Sequence, residues 1–338
     1  MPLPGQEILN HIVDVHCHPT DASSISPDSM HHLQITICAM STMQSDQSRV
    51  RDLAISYPTK VVPCFGYHPW FSYLISTQPV LSKNDHYRSI LLGTRSPRPS
   101  DVAIFEKLLD LLPDPIFLHD VISELRLNLE AFPRSMLGEV GLDRTFRVPF
   151  DYFASNRELT PFTIPLEHQL TILEAQVDLA VELGRNVSFH SVKSQLATVE
   201  FLKRLRSKHR DRWARINIDM HSCGLSPETW REIEKGHSNV FLSLSTVINS
   251  RSPNHRALIA NCLSDRLLVE SDYNNIDMCT DRTWDMIKIV AEVKGWQLEE
   301  EWIEDLDRSK WGVVRKLEEN WFNFRRGYNK FSENKEQN

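Results

Sequence analysis

Short runs of β-branched and other apolar residues recur along the chain, alternating with longer stretches whose apolar positions return every three to four residues. The first pattern suits strands covered on both faces, the second helices with one covered face. Eight strands are expected, at Ile12–His18, Leu33–Ala39, Val61–Tyr67, Met136–Leu142, Asn186–His190, Arg215–His221, Asn239–Ser245 and Arg266–Ser271. Helices are expected between them at Asp46–Ser56, Val102–Leu112, Val121–Ala131, Glu167–Leu183, Gln195–Lys208, Pro227–Lys235 and Asn254–Cys262, and after the last strand at Thr283–Lys294 and Glu299–Trp321. This alternation predicts an α/β fold, a TIM-type (β/α)8 barrel with extra C-terminal helices. Two stretches exceed the plan and read as insertions: 72–112 after the third strand, rich in proline, and 144–165 after the fourth, carrying Phe146, Phe150, Tyr152, Phe153 and Phe162. Both fall on the face where such barrels carry their active sites, as a lid or substrate wall. Residues 1–326 read as a single barrel domain and 327–338 as a polar, frayed tail.

The chemistry gathers at one end of these strands. His16 and His18 end the first, His68 follows the third, Glu139 lies near the end of the fourth, His190 and His221 end the fifth and sixth, and Asp272 follows the eighth. Residues at i and i+2 of a strand share a face, so His16 and His18 can both enter the barrel mouth while Cys17 packs behind them. A His-x-His pair alone is also what two ordinary histidines near a turn would give. An isolated acid after an apolar run more often makes a salt bridge or caps a helix. Four histidines and two carboxylates at the same end of one barrel point instead to a metal site. Imidazole mixed with carboxylate suits Zn2+ or Mn2+ better than an all-oxygen Mg2+ cage. A cation held there could activate a water, and Asp272 could take that water's proton.

Composition narrows the class. The chain has 338 residues, 41% hydrophobic and 25% charged, close to an average soluble globular protein. Lys and Arg number 38 against 45 Asp and Glu, a net charge of −7, which argues against nucleic acid or membrane held by bulk charge. A local site for a phosphate-bearing substrate stays open. The N-terminal sequence lacks a secretory pattern, and no apolar stretch is long enough to span a bilayer. Six scattered cysteines read as free thiols in a reducing compartment, so a cytoplasmic or nuclear location is expected, without membrane contact.

The series DVHCHP, GYHP, GEVGLD, SFHS, DMHSCG and VESD, in that order, resembles the TatD family of metal-dependent hydrolases, in the amidohydrolase-like barrel class. The resemblance covers about Val13 to Tyr273. It implies a site for two divalent metals, Mg2+ by the family's usual description, and deoxyribonuclease activity on DNA. By the same resemblance, His16, His18 and Asp272 hold the first metal, His190 and His221 the second, and Glu139 bridges them. His68 matches a position beside the substrate phosphate, and Asp143 orients the loop after the fourth strand. The chain departs from the family where substrate is touched. An arginine common two residues after the fifth-strand histidine is Val192 here, leaving Lys193 as a substitute charge for binding substrate. The sixth-strand motif is shortened to His221-Ser222-Cys223-Gly224, and Tyr273-Asn274-Asn275 replaces the usual Ser or Thr and Pro. Two other readings therefore stand beside the deoxyribonuclease. One is a metallohydrolase of a non-DNA substrate such as an amide or lactone. The other follows a similar diverged fungal branch, described as a binding partner of an anaphase-promoting-complex subunit, and makes the barrel an interaction scaffold in a cell-cycle complex. The tryptophans at 296, 302, 311 and 321 would then form a partner face, although helix packing against the barrel is the preferred reading of them.

Overall fold

The computed structural model describes residues 2–79, 82–93 and 96–326; the expected tail at 327–338 lies outside them. Eight parallel strands form one sheet in chain order: β1 Val13–Cys17, β2 Thr36–Met40, β3 Val61–Phe65, β4 Met136–Asp143, β5 Val187–Val192, β6 Ile218–Met220, β7 Val240–Leu244 and β8 Leu267–Val269. Helices cover the outside, burying apolar faces such as Ile172, Leu173, Val177 and Ala180 against the strands. This is the expected TIM-type barrel.

The seam between β8 and β1 is closed just beyond the strand ends. Asp272 N–H donates to His16 O at 2.9 Å, and His18 N–H donates to Tyr273 O at 2.9 Å. The buried Asp14 carboxylate accepts from the N–H groups of His16 and Ser271. The β1–β2 register shifts between Asp14 and Cys17, so the two histidines reach the mouth through an irregularity rather than by simple alternation. Cys17 packs in the outer core, as expected.

A second apolar cluster takes Val15, Cys38, Met40, Cys64, Met136, Phe241 and Leu268 from six strands and adds Trp321 and Phe324 of the C-terminal helix, Val313–Arg325. With no residue from the intervening helices, it fills the barrel's inside, and the C-terminal helix plugs the end where the strands begin. Asn186 and Asn217, on the approaches to β5 and β6, both donate to Phe324 O at 2.6 Å. Trp321 is therefore core, while Trp302 stacks on His11 with centroids 3.5 Å apart and lies under Arg315.

The insertions fold together. Tyr73, Tyr87, Ile90, Leu91, Phe105 and Leu108 from the first pack with Val148, Phe162 and Ile164 from the second in a satellite core beside the mouth. The first insertion also holds a helix, Lys83–Leu91, that the apolar pattern did not single out, and its Ile75–Ser76 pairs in parallel with Ile116–Phe117 just beyond it.

Two expected helices are corrected. The Thr283–Lys294 helix begins earlier, at Ile276, because the Asn275 side chain caps the first turn through Asp277 N–H. The expected Glu299–Trp321 helix is instead Val313–Arg325, preceded by irregular chain. Gly312 is its N-cap, and Glu299 turns its carboxylate onto the N–H groups of Val314 and Arg315, so that residue caps a helix rather than starting one.

Candidate metal centre

Seven of the expected site residues converge above the apolar filling. Glu139 is at the centre, 2% exposed on a fully buried β4. Its Oε1 lies 2.7 Å from His190 Nδ1, 2.7 Å from His221 Nε2 and 3.1 Å from His68 Nε2. Its Oε2 lies 3.1 Å from His18 Nε2 and 3.5 Å from His16 Nε2. Asp272 Oδ1 completes the other side, 3.5 Å from His18 Nε2 and 3.9 Å from His16 Nε2. β4 and β5 can approach this closely because residue 141 is glycine: a Cβ there would stand 2.0 Å from the His190 carbonyl oxygen.

The donor set fits metal. Glu139 Oε1 is buried among three imidazole nitrogens yet has no aligned hydrogen bond. His16 Nε2 and His18 Nε2 stand 3.0 Å apart, and His190 Nδ1 and His221 Nε2 3.1 Å apart. Two nitrogens each about 2.0–2.1 Å from one cation, at roughly a right angle, lie about 3 Å apart. Two of the four rings, His16 and His190, are also held on their far sides as ligand histidines require. Ser188 Oγ meets His16 Nδ1 at 2.7 Å, and Asp143 Oδ2 faces His190 Nε2 at 3.4 Å.

His68 differs from the other four. Its Nδ1 accepts the backbone N–H of Trp70 at 3.1 Å, which puts its proton on Nε2, facing Glu139. It is built as a donor and not as a metal ligand. Asp143 likewise binds the loop after β4, accepting from Thr145 N–H, Thr145 Oγ1 and Phe146 N–H, and it takes the Trp70 indole N–H at 2.6 Å.

The protonation states follow from burial and from each other. Burial alone would push the Glu139 carboxyl up, but the imidazoles of His68, His221, His16 and His190 outweigh it and hold it well below the usual range. Burial would likewise raise Asp272, and His16, His221 and His18 bring it down. Burial works against a charged His18, yet the Glu139 carboxylate beside it lifts the imidazole to about 9. Burial lowers His68 to about 4, in keeping with a neutral donor.

The cavity above the cluster has a volume of about 340 Å³. Trp70, Phe71 and Tyr152 form an aromatic wall, and Trp70 is stacked on Phe146 from the second insertion at 5.2 Å. Asp21, Asp143 and Asp272 also line it, and among the described residues no lysine or arginine does. Lys193, the expected substitute for the missing arginine, is not brought in. β5 runs two residues past His190, and Lys193 sits exposed on the turn beyond, at φ 52°.

Several residues of the centre were not singled out by sequence. Ser222 Oγ donates toward Asp272 Oδ2 at 2.9 Å and toward Glu270 Oε1 at 2.6 Å. Ser243 links Glu270 to Asp219, both fully buried beneath the cluster. Asp219 had a legible signal, a carboxylate inside an otherwise apolar strand. Ser188 and Ser222 had none.

A family profile described as TatD related DNase matches residues 13–303. The Cut9-interacting protein scn1 of Schizosaccharomyces pombe is 28% identical over 332 residues, covering 86% of this chain and 95% of that protein. The uncharacterized deoxyribonuclease YMR262W of Saccharomyces cerevisiae is 30% identical over 279 residues, covering 78% and 84%. Among solved structures, the TatD homolog YJJV of Escherichia coli superposes with a TM-score of 0.57 at 19% identity, covering 94% of this chain and 98% of that one. A TatD family hydrolase from Entamoeba histolytica gives 0.58 at 13% identity, covering 93% and 98%. At these identities the structures speak for the barrel fold alone.

Proposed function

The chain belongs to the TatD-related DNase family, and from that premise we propose that it is a divalent-metal-dependent hydrolase cleaving phosphodiester bonds of DNA. The observation that carries the reading is the buried Glu139 Oε1, which faces imidazole nitrogens from three elements with no hydrogen bond of its own. His16, His18 and Asp272 would hold one cation, His190 and His221 a second, with Glu139 shared. Cations so held supply an acidified water and positive charge for the developing negative charge of the reaction.

The chain's own residues do the rest. Asp272, kept ionised by the imidazoles around it and oriented by Ser222, accepts the proton of the attacking water. His68, its tautomer fixed by Trp70 N–H, carries its Nε2–H between Glu139 and the cavity, where it can also serve a phosphoryl oxygen. The Trp70–Phe71–Tyr152 wall offers stacking surface to a base. A cavity of about 340 Å³ takes one terminal unit rather than a duplex.

One observation favours a second reading, a metallohydrolase of a less anionic substrate. The described lining has no lysine or arginine, and Val192 stands where a phosphate-holding arginine would. Partner binding is a third reading, resting on the name of the S. pombe relative. Cytoplasmic or nuclear residence agrees with each.

The test pairs elemental analysis of the purified protein with cleavage of labelled single- and double-stranded DNA under Mg2+, Mn2+ or Zn2+, comparing wild type and Asp272→Asn. Bound metal with cleavage lost in the variant supports the proposal. Bound metal with ester or lactone turnover and no DNA cleavage moves it to the second reading. No metal under any condition overturns both.

A further inference from the structure

The hydrolase reading leaves the opposite face of the barrel unused. There, where β1 to β5 begin, two adjoining hollows of about 360 and about 610 Å³ share Pro133, Arg134, Ser135, Trp321, Phe322 and Arg325 as common lining. Together they form one groove across the lower end. Its apolar ground is open, with Phe322 43% and Ile55 63% exposed.

Its charge runs against the rest of the molecule. Arg134, Arg325 and Arg326 are exposed, and among the described residues none has a carboxylate within ion-pair distance. Arg134 reaches only the Pro58 carbonyl, at 3.4 Å, and Arg325 lies 5.8 Å from the Trp321 ring centre. The carboxylate that lines the groove, Glu318, is taken up by His11 at 2.7 Å. Some surface arginines elsewhere are matched, as Arg126 is with Glu182, Arg204 with Glu174 and Arg256 with Glu292, while exposed Arg88, Arg144 and Arg251 stand singly among the described residues. What sets the groove apart is that three such arginines line one hollowed face. Three unmatched arginines beside exposed aromatic surface, in a chain of net charge −7, form a local reversal of sign.

We infer that this groove docks an acidic peptide segment of another protein. Carboxylates of the segment meet Arg134 and Arg325, and an apolar side chain seats against Phe322 and Trp321. A long nucleic acid fits less well. The hollows are half apolar in character, and the net negative charge of the chain opposes a polyanion once it leaves the patch.

The test is fluorescence anisotropy on the full chain. The probe is a short labelled peptide rich in Glu and Asp with one Phe and one Leu, and the control has the carboxylates replaced by Gln and Asn. The acidic probe is expected to saturate and the control to fail. Arg134→Ala and Arg325→Ala should each weaken binding about tenfold, and Phe322→Ala several-fold. These side chains are exposed and far from the mouth, so thermal unfolding and metal-dependent activity should hold steady, which separates this proposal from the hydrolase reading. No saturable binding, or equal binding by the double arginine variant, overturns it. So does tighter binding of labelled oligothymidine that needs the same arginines, or a dimer that these substitutions dissolve. Binding that appears only after removal of residues 327–338 would overturn it too, assigning the groove to the chain's own end.

Discussion

At the lower end of the barrel, Val15, Cys38, Cys64, Met136, Phe241 and Leu268 close around Trp321 and Phe324. At the upper end the strands of the same barrel deliver His16, Glu139, His190 and His221, with Asp219 and Glu270 beneath them, all but His190 buried to 5% exposure or less. The lower filling is ordinary apolar packing, favourable on transfer and on dispersion. The upper one gathers charged and polar groups that cost free energy to bury unless each is matched. Several atoms there are unmatched: Glu139 Oε1, His18 Nδ1, His221 Nδ1 and Asp219 Oδ1 have no hydrogen bond. The difference teaches that the lower half carries the stability that lets the upper half hold chemistry.

The largest break in that contrast should come from Glu139→Gln. The side chain keeps its size but loses the charge that faces the surrounding imidazoles. Metal-dependent turnover is expected to fall about 10³-fold or more, with reduced metal content by elemental analysis. Thermal stability of the metal-free protein should move far less. Unchanged turnover with unchanged metal content would remove Glu139 from the site.

Phe324→Ala should do the reverse. Phe324 is fully buried, packs edge-on to Phe241 at 5.3 Å and ends the helix whose last carbonyls Asn186 and Asn217 hold. Its loss should cost about 3–5 kcal/mol in denaturant unfolding. Turnover per folded molecule should stay near wild type. A loss of activity without a loss of stability would mean that the two ends are not separable.

A smaller effect is expected at the join of wall and cluster. Trp70→Phe keeps the stacking on Phe146 but removes the indole N–H from Asp143, whose other contacts steady the loop and His190. A loss of about tenfold in kcat/KM is expected, of the size seen when a partner behind a ligand is removed. If kcat/KM is unchanged, Asp143 is held well enough by Thr145 and Phe146 alone.

The sequence made the strand-end chemistry legible because a barrel strand turns chain order into place. An apolar run followed by His or Glu marks the mouth wherever the run occurs, and His16, His18, His68, Glu139, His190, His221 and Asp272 all meet there. The supports were not legible in the same way. Ser188 and Ser222 matter through one hydroxyl each, and a serine near a strand end carries no pattern. Lys193 was misplaced because its approach to the mouth depended on where β5 ends, and strand ends are set by tertiary pairing. The C-terminal helix was misread for a similar reason. Glu299 has good helix propensity, and only the folded chain shows it capping a helix fourteen residues on. The joint core of the two insertions needed contacts between segments far apart in sequence.

The last contrast concerns acid. His237, just before β7 and so at the lower end, is buried, with burial and then the charges of Arg206 and Lys203 lowering its imidazole to about 4 from 6.5. Between those values the unfolded chain binds a proton that the folded one refuses. Stability from a neutral His237 is therefore fully present above about pH 6.5 and declines as pH falls toward 4. Lys203 is largely exposed and its share is screened, so the expected loss is about 1 kcal/mol rather than the full amount implied by the shift. His237→Gln should flatten this part of the pH dependence in urea unfolding of the metal-free protein, leaving whatever the mouth contributes. If the slope between pH 7 and 4 is the same in the variant, the acid sensitivity belongs to the histidines and carboxylates of the upper end instead.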